Sequence, residues 1–227
     1  MAKKLAAASL AALVAVAILF GVVAYSYLKP AAAASGPIQP VAIAPAAGDS
    51  GTTYTIDQAS SEARFVIDEV LNGSPKTVIG TTHQVAGQIV VDPTAPNSAQ
   101  VGTIQIDGRT LSTDSDQRNN AIKNMILKTN QYEYITFVPT ALVGLPESAT
   151  VGQSYTFQIV GQLTIAGQTH EATFDVTAAA TPDGKLQGTA TTTIKYADWG
   201  ISIPQVPFVT GVGDTVQLEL DFVATAQ

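Results

Sequence analysis

The 227-residue chain contains no cysteine, two histidines, two methionines and one tryptophan. Without thiols it has no disulfide framework, no site for lipoprotein acylation and no thiol nucleophile, so its stability must come from a packed core. Charge is scarce as well, at 13% of residues against 46% apolar ones, which excludes a disordered acidic polymer and suits a folded domain. Positive charge is the scarcest. Beyond Pro30 eight Lys or Arg face eighteen Asp or Glu. That excess of negative charge makes nucleic acid and anionic lipid surfaces poor partners.

The missing residue types also limit the chemistry. His83 and His170 are far apart, without cysteine and without the helical HExxH spacing, so nothing supports a metal site. No Ser-His-Asp set or nucleophile elbow is visible. "TGVGDT", residues 210–215, holds two glycines but precedes a strand pattern instead of a helix, so it reads as a turn and not a phosphate cradle. Asn72-Gly73-Ser74 has the form of a glycosylation acceptor.

One long apolar run is present. Lys3 and Lys4 precede an uncharged stretch from Leu5 to Leu28 that closes at Lys29-Pro30. Its 24 residues would cover roughly 36 Å as a helix, against a hydrocarbon core of about 30 Å, so a tilted transmembrane helix is expected over 1–29. The small residues of "AAAAS" at 31–35 keep a cleaved signal peptide as the alternative. Either way the rest of the chain is exported, and the flanking lysines put the N-terminus in the cytoplasm. Residues 30–52, rich in Ala, Pro and Gly and without periodicity, read as a flexible linker with a reach of roughly 26 Å.

From residue 53 to 227 the pattern is that of strands. In "SYTFQIVGQLTIAG", Tyr155, Phe157, Ile159, Gly161, Leu163 and Ile165 share one face while Thr156, Gln158, Gln162 and Thr164 share the other. "THEATFDVTAA" and "TVQLELDFVATA" repeat the alternation, and Ala166-Gly167-Gln168 predicts a tight hairpin. Weaker alternation over 61–68, 85–91, 99–107, 132–138 and 186–196 brings the total to about eight or nine antiparallel strands. Strands with one apolar face must close as a barrel or pack as two sheets, and the long ones at 154–165 and 214–225 favour the barrel.

"TDSDQRNNAIKN", residues 113–124, breaks the alternation. Asp114 or Ser115 can cap a short helix whose apolar positions are Ile122, Met125 and Ile126, with Lys123 and Lys128 near its C-terminal end. Asp114 and Asp116 could be imagined as an acid-base pair, but carboxylates this close in a cap are commonly just solvated. The segment fails as a calcium loop because Arg118 takes the third ligand position and no glycine or distal glutamate follows.

What remains is the apolar face itself, with Phe65, Phe137, Phe157, Phe174, Trp199, Phe208 and Phe222 on it. It either fills a core or encloses a ligand, as barrels of about eight strands can.

Several segments resemble one family. "STDSDQRNNAIKN" is similar to the S-T-x-x-x-x-R-D-x-x-L segment of the YceI-like, lipocalin-like family, with Ser112, Thr113, Arg118 and Lys123 in place, Ile122 for the Leu and Asn119 for the Asp. "QYEYITF" resembles K-Y-P-x-I-x-F, keeping Tyr132, Ile135 and Phe137 with Glu133 for the Pro. "GQLTIAGQTHEATFDV", residues 161–176, is similar to G-x-L-T-I-x-G-x-T-x-x-V-x-L-x-V. "YADWG" and "VGDTVQLELDFVA" resemble R-x-D-F-G, with Tyr196 for the Arg and Trp199 for the Phe, and V-G-D-x-V-x-I-x-I.

The resemblance implies an exported, eight-stranded antiparallel lipocalin-like barrel that takes a polyisoprenoid or isoprenoid-quinone chain into its bore, with the helix as a structural cover. It implies a binding protein with no catalytic role and no cofactor beyond the bound polyisoprenoid. Combined with the apolar run, it gives a membrane-tethered extracytoplasmic domain, periplasmic or at the cell surface, with a homodimer left open. The expected lining is Phe65, Ile67, Ile104, Ile106, Phe137, Phe157, Leu163, Phe174, Leu218 and Phe222, with Trp199 at the rim. A structural or adhesion module of the envelope with a filled core is the alternative. An enzyme acting on bound lipid is a third reading, disfavoured because the alternation turns nearly all ionisable groups outward.

Overall fold

The computed structural model describes residues 29–43, 51–92, 95–207 and 209–227. The apolar run from Leu5 to Leu28 and Phe208 therefore lie outside the described residues. Among the described residues no helix is long and apolar enough to cross a membrane.

Among the described residues the domain is all-β, with thirteen strands and one short α-helix. They are β1 (Thr52–Ile56), β2 (Glu62–Leu71), β3 (Ser74–Thr82), β4 (Val85–Ala86), β5 (Gln88–Val91), β6 (Gln100–Val101) and β7 (Ile104–Asp107). After α1 (Asp116–Ala121) follow β8 (Tyr134–Val143), β9 (Ser154–Ile165), β10 (Gln168–Ala180), β11 (Lys185–Lys195), β12 (Val209–Val212) and β13 (Thr215–Ala226). They form one curled antiparallel sheet.

The sheet runs from β7 through β8, β9, β10 and β11 to β13. The far edge of β13 pairs with β2 along Gln217–Asp221 and with β1 along Ala224–Ala226. Beyond these lie β3 against β2 and β5 against β1. β4 and β5 in turn pair with β7 and β6.

The strand count exceeds the expected eight or nine because several predicted strands are interrupted. A 3₁₀ turn at Gln58–Ser60, capped by the Asp57 carboxylate, separates β1 from β2. The stretch from β3 to β5 breaks at His83-Gln84 and again at Gly87. The first half of the segment 210–215, read as a turn, instead belongs to β12, which pairs with β2.

The strongest alternating segments give the longest strands, β9, β10 and β13. Ala166 and Gly167 both adopt positive φ, 49° and 79°, the geometry of a tight two-residue hairpin between β9 and β10. Asn72 and Gly73 do the same between β2 and β3, so the Asn-Gly pair serves as a turn.

The helix forms where predicted, with Ser115 as its N-cap accepting from the Arg118 N–H. It continues as a π-helical turn over Ile122–Ile126. This segment, the β9–β10 turn and the β11–β12 connection gather at one end of the curled sheet, the helix end. The opposite end carries the 144–153 loop, the β10–β11 turn and the β5–β6 loop.

Residues 29–43 carry no helix or strand, as their composition predicts, yet they are not slack. The Asn124 amide donates to the Lys29 carbonyl at 2.8 Å. Ser35 donates through its N–H and hydroxyl to Glu133, and Arg109 donates to the Ala33 carbonyl and the Ser35 hydroxyl. The Gln58 amide holds the Ile38 carbonyl at 2.8 Å, and the Ile43 N–H reaches the Gln88 side chain at 2.9 Å. Ile38 is buried to 3% exposure. The expectation of a free coil fails for these residues because Ile38 finds a buried site and the Ser35 and Ile43 N–H groups and the Lys29, Ala33 and Ile38 carbonyls all find side-chain partners in the domain.

Candidate apolar binding cavity

Because alternation puts one side chain of each pair inside the curl, the inner face is built almost wholly from aliphatic and aromatic groups. Enclosed by it is a cavity of about 400 Å³. Phe65 and Ile67 from β2, Ile104 and Ile106 from β7, Phe137 from β8, Phe157 and Leu163 from β9 and Phe174 from β10 line it, as do Leu218 and Phe222 from β13.

Two glycines make room for rings at this wall. A Cβ on Gly80 would lie 2.2 Å from the Phe65 ring, and one on Gly161 would lie 2.6 Å from the Phe137 ring. Each aromatic therefore lies flat over a glycine of the neighbouring strand. Phe137 and Phe174 meet edge to face with centroids 4.9 Å apart, the favoured arrangement for such pairs.

Trp199 is placed differently from the expectation. It is 4% exposed and packs in the hydrophobic core, its indole N–H donating to the Leu163 carbonyl at 2.9 Å, and it does not line the cavity. The indole N–H needs a buried acceptor, and the carbonyl at the inner end of β9 supplies one. The exposed His170 ring covers it edge to face at 5.1 Å. Trp199 thus seals the wall near the helix end.

Several lining groups were not legible from alternation. Ile122 and Ile126 from the π-helical turn, with Leu127, form the end wall, joined by Ile201 and Ile203 from the connection after β11. Helical spacing marked the first two as apolar, but only tertiary packing aims them into the curl. At the other end Leu145, Pro146 and Val151 of the 144–153 loop contribute, with Val151 59% exposed.

Among the described residues four charged ones border this cavity, Arg64, Glu69, Arg118 and Glu219. Glu69 lies on the inward face of β2 at the helix end, and its carboxylate accepts from the Arg118 guanidinium at 2.7 Å. Arg118 also pairs with Asp114, which in turn binds the Lys76 ammonium at 2.6 Å. The Lys76 hydrogen bond and the Arg118 charge hold the Asp114 carboxyl below the usual range, so it is ionised and engaged, not free for acid-base work. Arg64 belongs to the outer face, where hydrogen bonding to Glu219 raises its pKa and Asp221 and Glu62 complete the cluster.

Behind the helix sits a buried polar patch. Asp107 is fully buried at 0% exposure; its Oδ1 accepts the Arg109 N–H at 2.8 Å and its Oδ2 has no protein partner among the described residues. Burial pushes the Asp107 carboxyl up from its ordinary value and the Lys123 ammonium down. A carboxyl that holds its proton more tightly when folded contributes stability below its unfolded pKa and loses it as pH rises through the folded one. Asp107→Asn is therefore expected to gain stability relative to the parent protein as pH rises from the ordinary carboxylate range to neutrality. Denaturant midpoints at the two ends of that range test it; a constant difference would show that Asp107 does not titrate there.

Among proteins of known sequence or structure, the profile of the YceI-like domain matches residues 54–224. The chain belongs to the YceI-like family. A UPF0312 protein of Staphylococcus epidermidis is 28% identical over 177 residues, covering 74% of this chain and 94% of that one. The crystal structure of BcnA from Burkholderia cenocepacia superposes with a TM-score of 0.59 at 21% identity, over 75% of this chain and 99% of the other. A polyisoprenoid-binding domain from Saccharophagus degradans, implicated in plant cell wall breakdown, gives 0.60 at 15% identity, over 78% and 99%. At these identities the likeness is one of fold. The strap over residues 29–43 lies outside the YceI-like match.

Proposed function

We propose that this YceI-like domain is an extracytoplasmic lipid-binding barrel that shields a polyisoprenoid or isoprenoid-quinone chain from water. The observation that carries the proposal is the apolar cavity of about 400 Å³ inside the curled sheet, within the range of small-molecule sites. Its first support is the fold. Segments that continue one another across their breaks, β1 with β2, β3 with β4 and β5, and β6 with β7, reduce the strands to eight staves once β12 is set aside as an adjunct of β2. The pairings then return from β13 through β1 and β2 to β3–β5, and from there to β6 and β7, as an eight-stranded barrel requires.

Energetics favour a lipid tail as cargo. Each buried CH₂ contributes about 0.8 kcal/mol, so one five-carbon isoprene unit gains roughly 4 kcal/mol before the cost of ordering it. The aromatic and branched side chains lining the cavity give that tail methyl-sized contacts along its length. That a Saccharophagus domain of the same fold is described as polyisoprenoid-binding supports the same class of ligand.

Membrane tethering belongs to the proposal as well. The apolar run from Leu5 to Leu28 joins the described chain at Lys29, which is fastened to Asn124 beside the helix end. A helix anchored through that run would hold the helix end toward the bilayer with no slack linker between them.

Lipid extracted from protein purified without added ligand is expected to contain a prenyl species by mass spectrometry. Repeated extraction of no prenyl lipid would count against the lipid-binding reading and favour the alternative of a structural envelope module.

A further inference from the structure

The cavity wall is almost wholly apolar; of the charged residues that border it, Arg64 and Glu219 pair with each other on the outer face, and the pair at the helix end is Glu69 with Arg118. Any polar head at that end must be accommodated by this pair and its neighbours. The cations present are already neutralised: Arg118 bonds both Glu69 and Asp114, and Lys76 bonds Asp114. Two cations and two anions leave no net charge in the cluster. Glu69 and Arg118 are also poorly hydrated, their side chains being 9% and 19% exposed, so water screens little of what they do.

A phosphate head carries a charge of about −1.5 to −2 and needs cations not already spent on carboxylates. Brought here it would meet the Glu69 carboxylate at close range inside a domain that is itself strongly acidic. A neutral head has no such conflict. The guanidinium has five N–H donors, and the two ion-pair contacts leave others for a carbonyl or hydroxyl oxygen. Tyr196, also on the cavity wall at this end, adds a phenol hydroxyl.

We infer that the cavity selects prenyl lipids with a neutral oxygen-bearing head, quinones or free prenols, over the phosphorylated forms of the same chain, through the charge-compensated Glu69–Arg118 pair at the helix end. The inference rests on the lipid-binding reading and narrows it. Arg118 and Tyr196 orient the head, while Glu69, by neutralising Arg118, withholds the free cation that a phosphate needs.

The test uses the full chain in neutral detergent micelles, titrated with a quinone, a polyprenol and a polyprenyl phosphate of matched chain length. The quinone and the polyprenol are expected to bind at least about tenfold more tightly than the phosphate. Glu69→Gln, which frees one positive charge, is expected to raise the ratio of phosphate affinity to polyprenol affinity by about tenfold. The double variant Glu69→Gln with Arg118→Gln removes both charges and should keep the neutral preference, which serves if the single variant folds poorly. Phosphate binding as tight as quinone binding in the parent protein would overturn the inference and leave the lipid-binding reading standing. A ratio that Glu69→Gln does not move would overturn it too, because the head would then lie elsewhere. Failure of all three lipids to bind would overturn both.

Discussion

Protein carrying Ala178→Trp and Ala190→Trp together is expected to purify without bound lipid, while remaining folded. Ala178 and Ala190 are small inward residues of β10 and β11 on the cavity wall. Ala178 stands between Gly188 and Tyr155 and Ala190 between Val176 and Leu220, so an indole at either position projects past these neighbours into the hollow. Two indoles would occupy much of a cavity of about 400 Å³, and they bury their own surface favourably in doing so. Overpacking a filled core typically costs 1–3 kcal/mol, but here the added volume goes into existing space. Thr177→Trp, on the outward face of the same strand, is the control that should keep its lipid. Lipid occupancy is read by mass spectrometry and folding by circular dichroism. Undiminished lipid in the double variant would mean that the tail binds outside the curl.

The second large effect concerns the strap. Ile38→Ala is expected to cost about 3 kcal/mol, as truncations of fully buried aliphatic side chains do. Ile38 is only 3% exposed although it lies outside the YceI-like match; its carbonyl accepts from Gln58, and Ser35 in the same strap donates to Glu133 and accepts from Arg109. A flexible linker residue would cost nothing measurable when truncated, so urea unfolding separates the two cases: a loss below about 0.5 kcal/mol would show that the strap contributes no stability. Acid should weaken the same contact. Burial raises the Glu133 carboxyl, but the Ser35 hydroxyl and N–H and the Arg109 guanidinium outweigh it and hold the group below its ordinary value. The fastening is thus present above the unfolded carboxylate pKa and is lost as pH falls through the folded one.

The strap also shows why composition misleads over 29–43. Ala, Pro and Gly specify no periodic structure, and that much held. Whether an aperiodic segment stays free depends on what it meets, and the outward residues of β5 offered it Gln88, 7% exposed, as a partner for the Ile43 N–H. No property of residues 30–52 encodes the position of Gln88.

Period-two alternation in β9, β10 and β13 was decisive in the sequence because a strand with one apolar face has one energetically acceptable side to turn inward. It identified the inward face of β2, β7 and β8 as well, and with it ten of the residues that line the cavity. The short helix followed from its cap, since the Ser115 hydroxyl satisfies a backbone donor locally. These are properties of neighbouring residues, and neighbouring residues are what a sequence displays. Trp199, the breaks between β1 and β7, the end wall of Ile122 and Ile126, and the meeting of Glu69 with Arg118 depend on contacts between segments remote in the chain. Whether the inward side chains fill the curl or leave a hollow was decided in the same way, by how far the assembled staves stand apart.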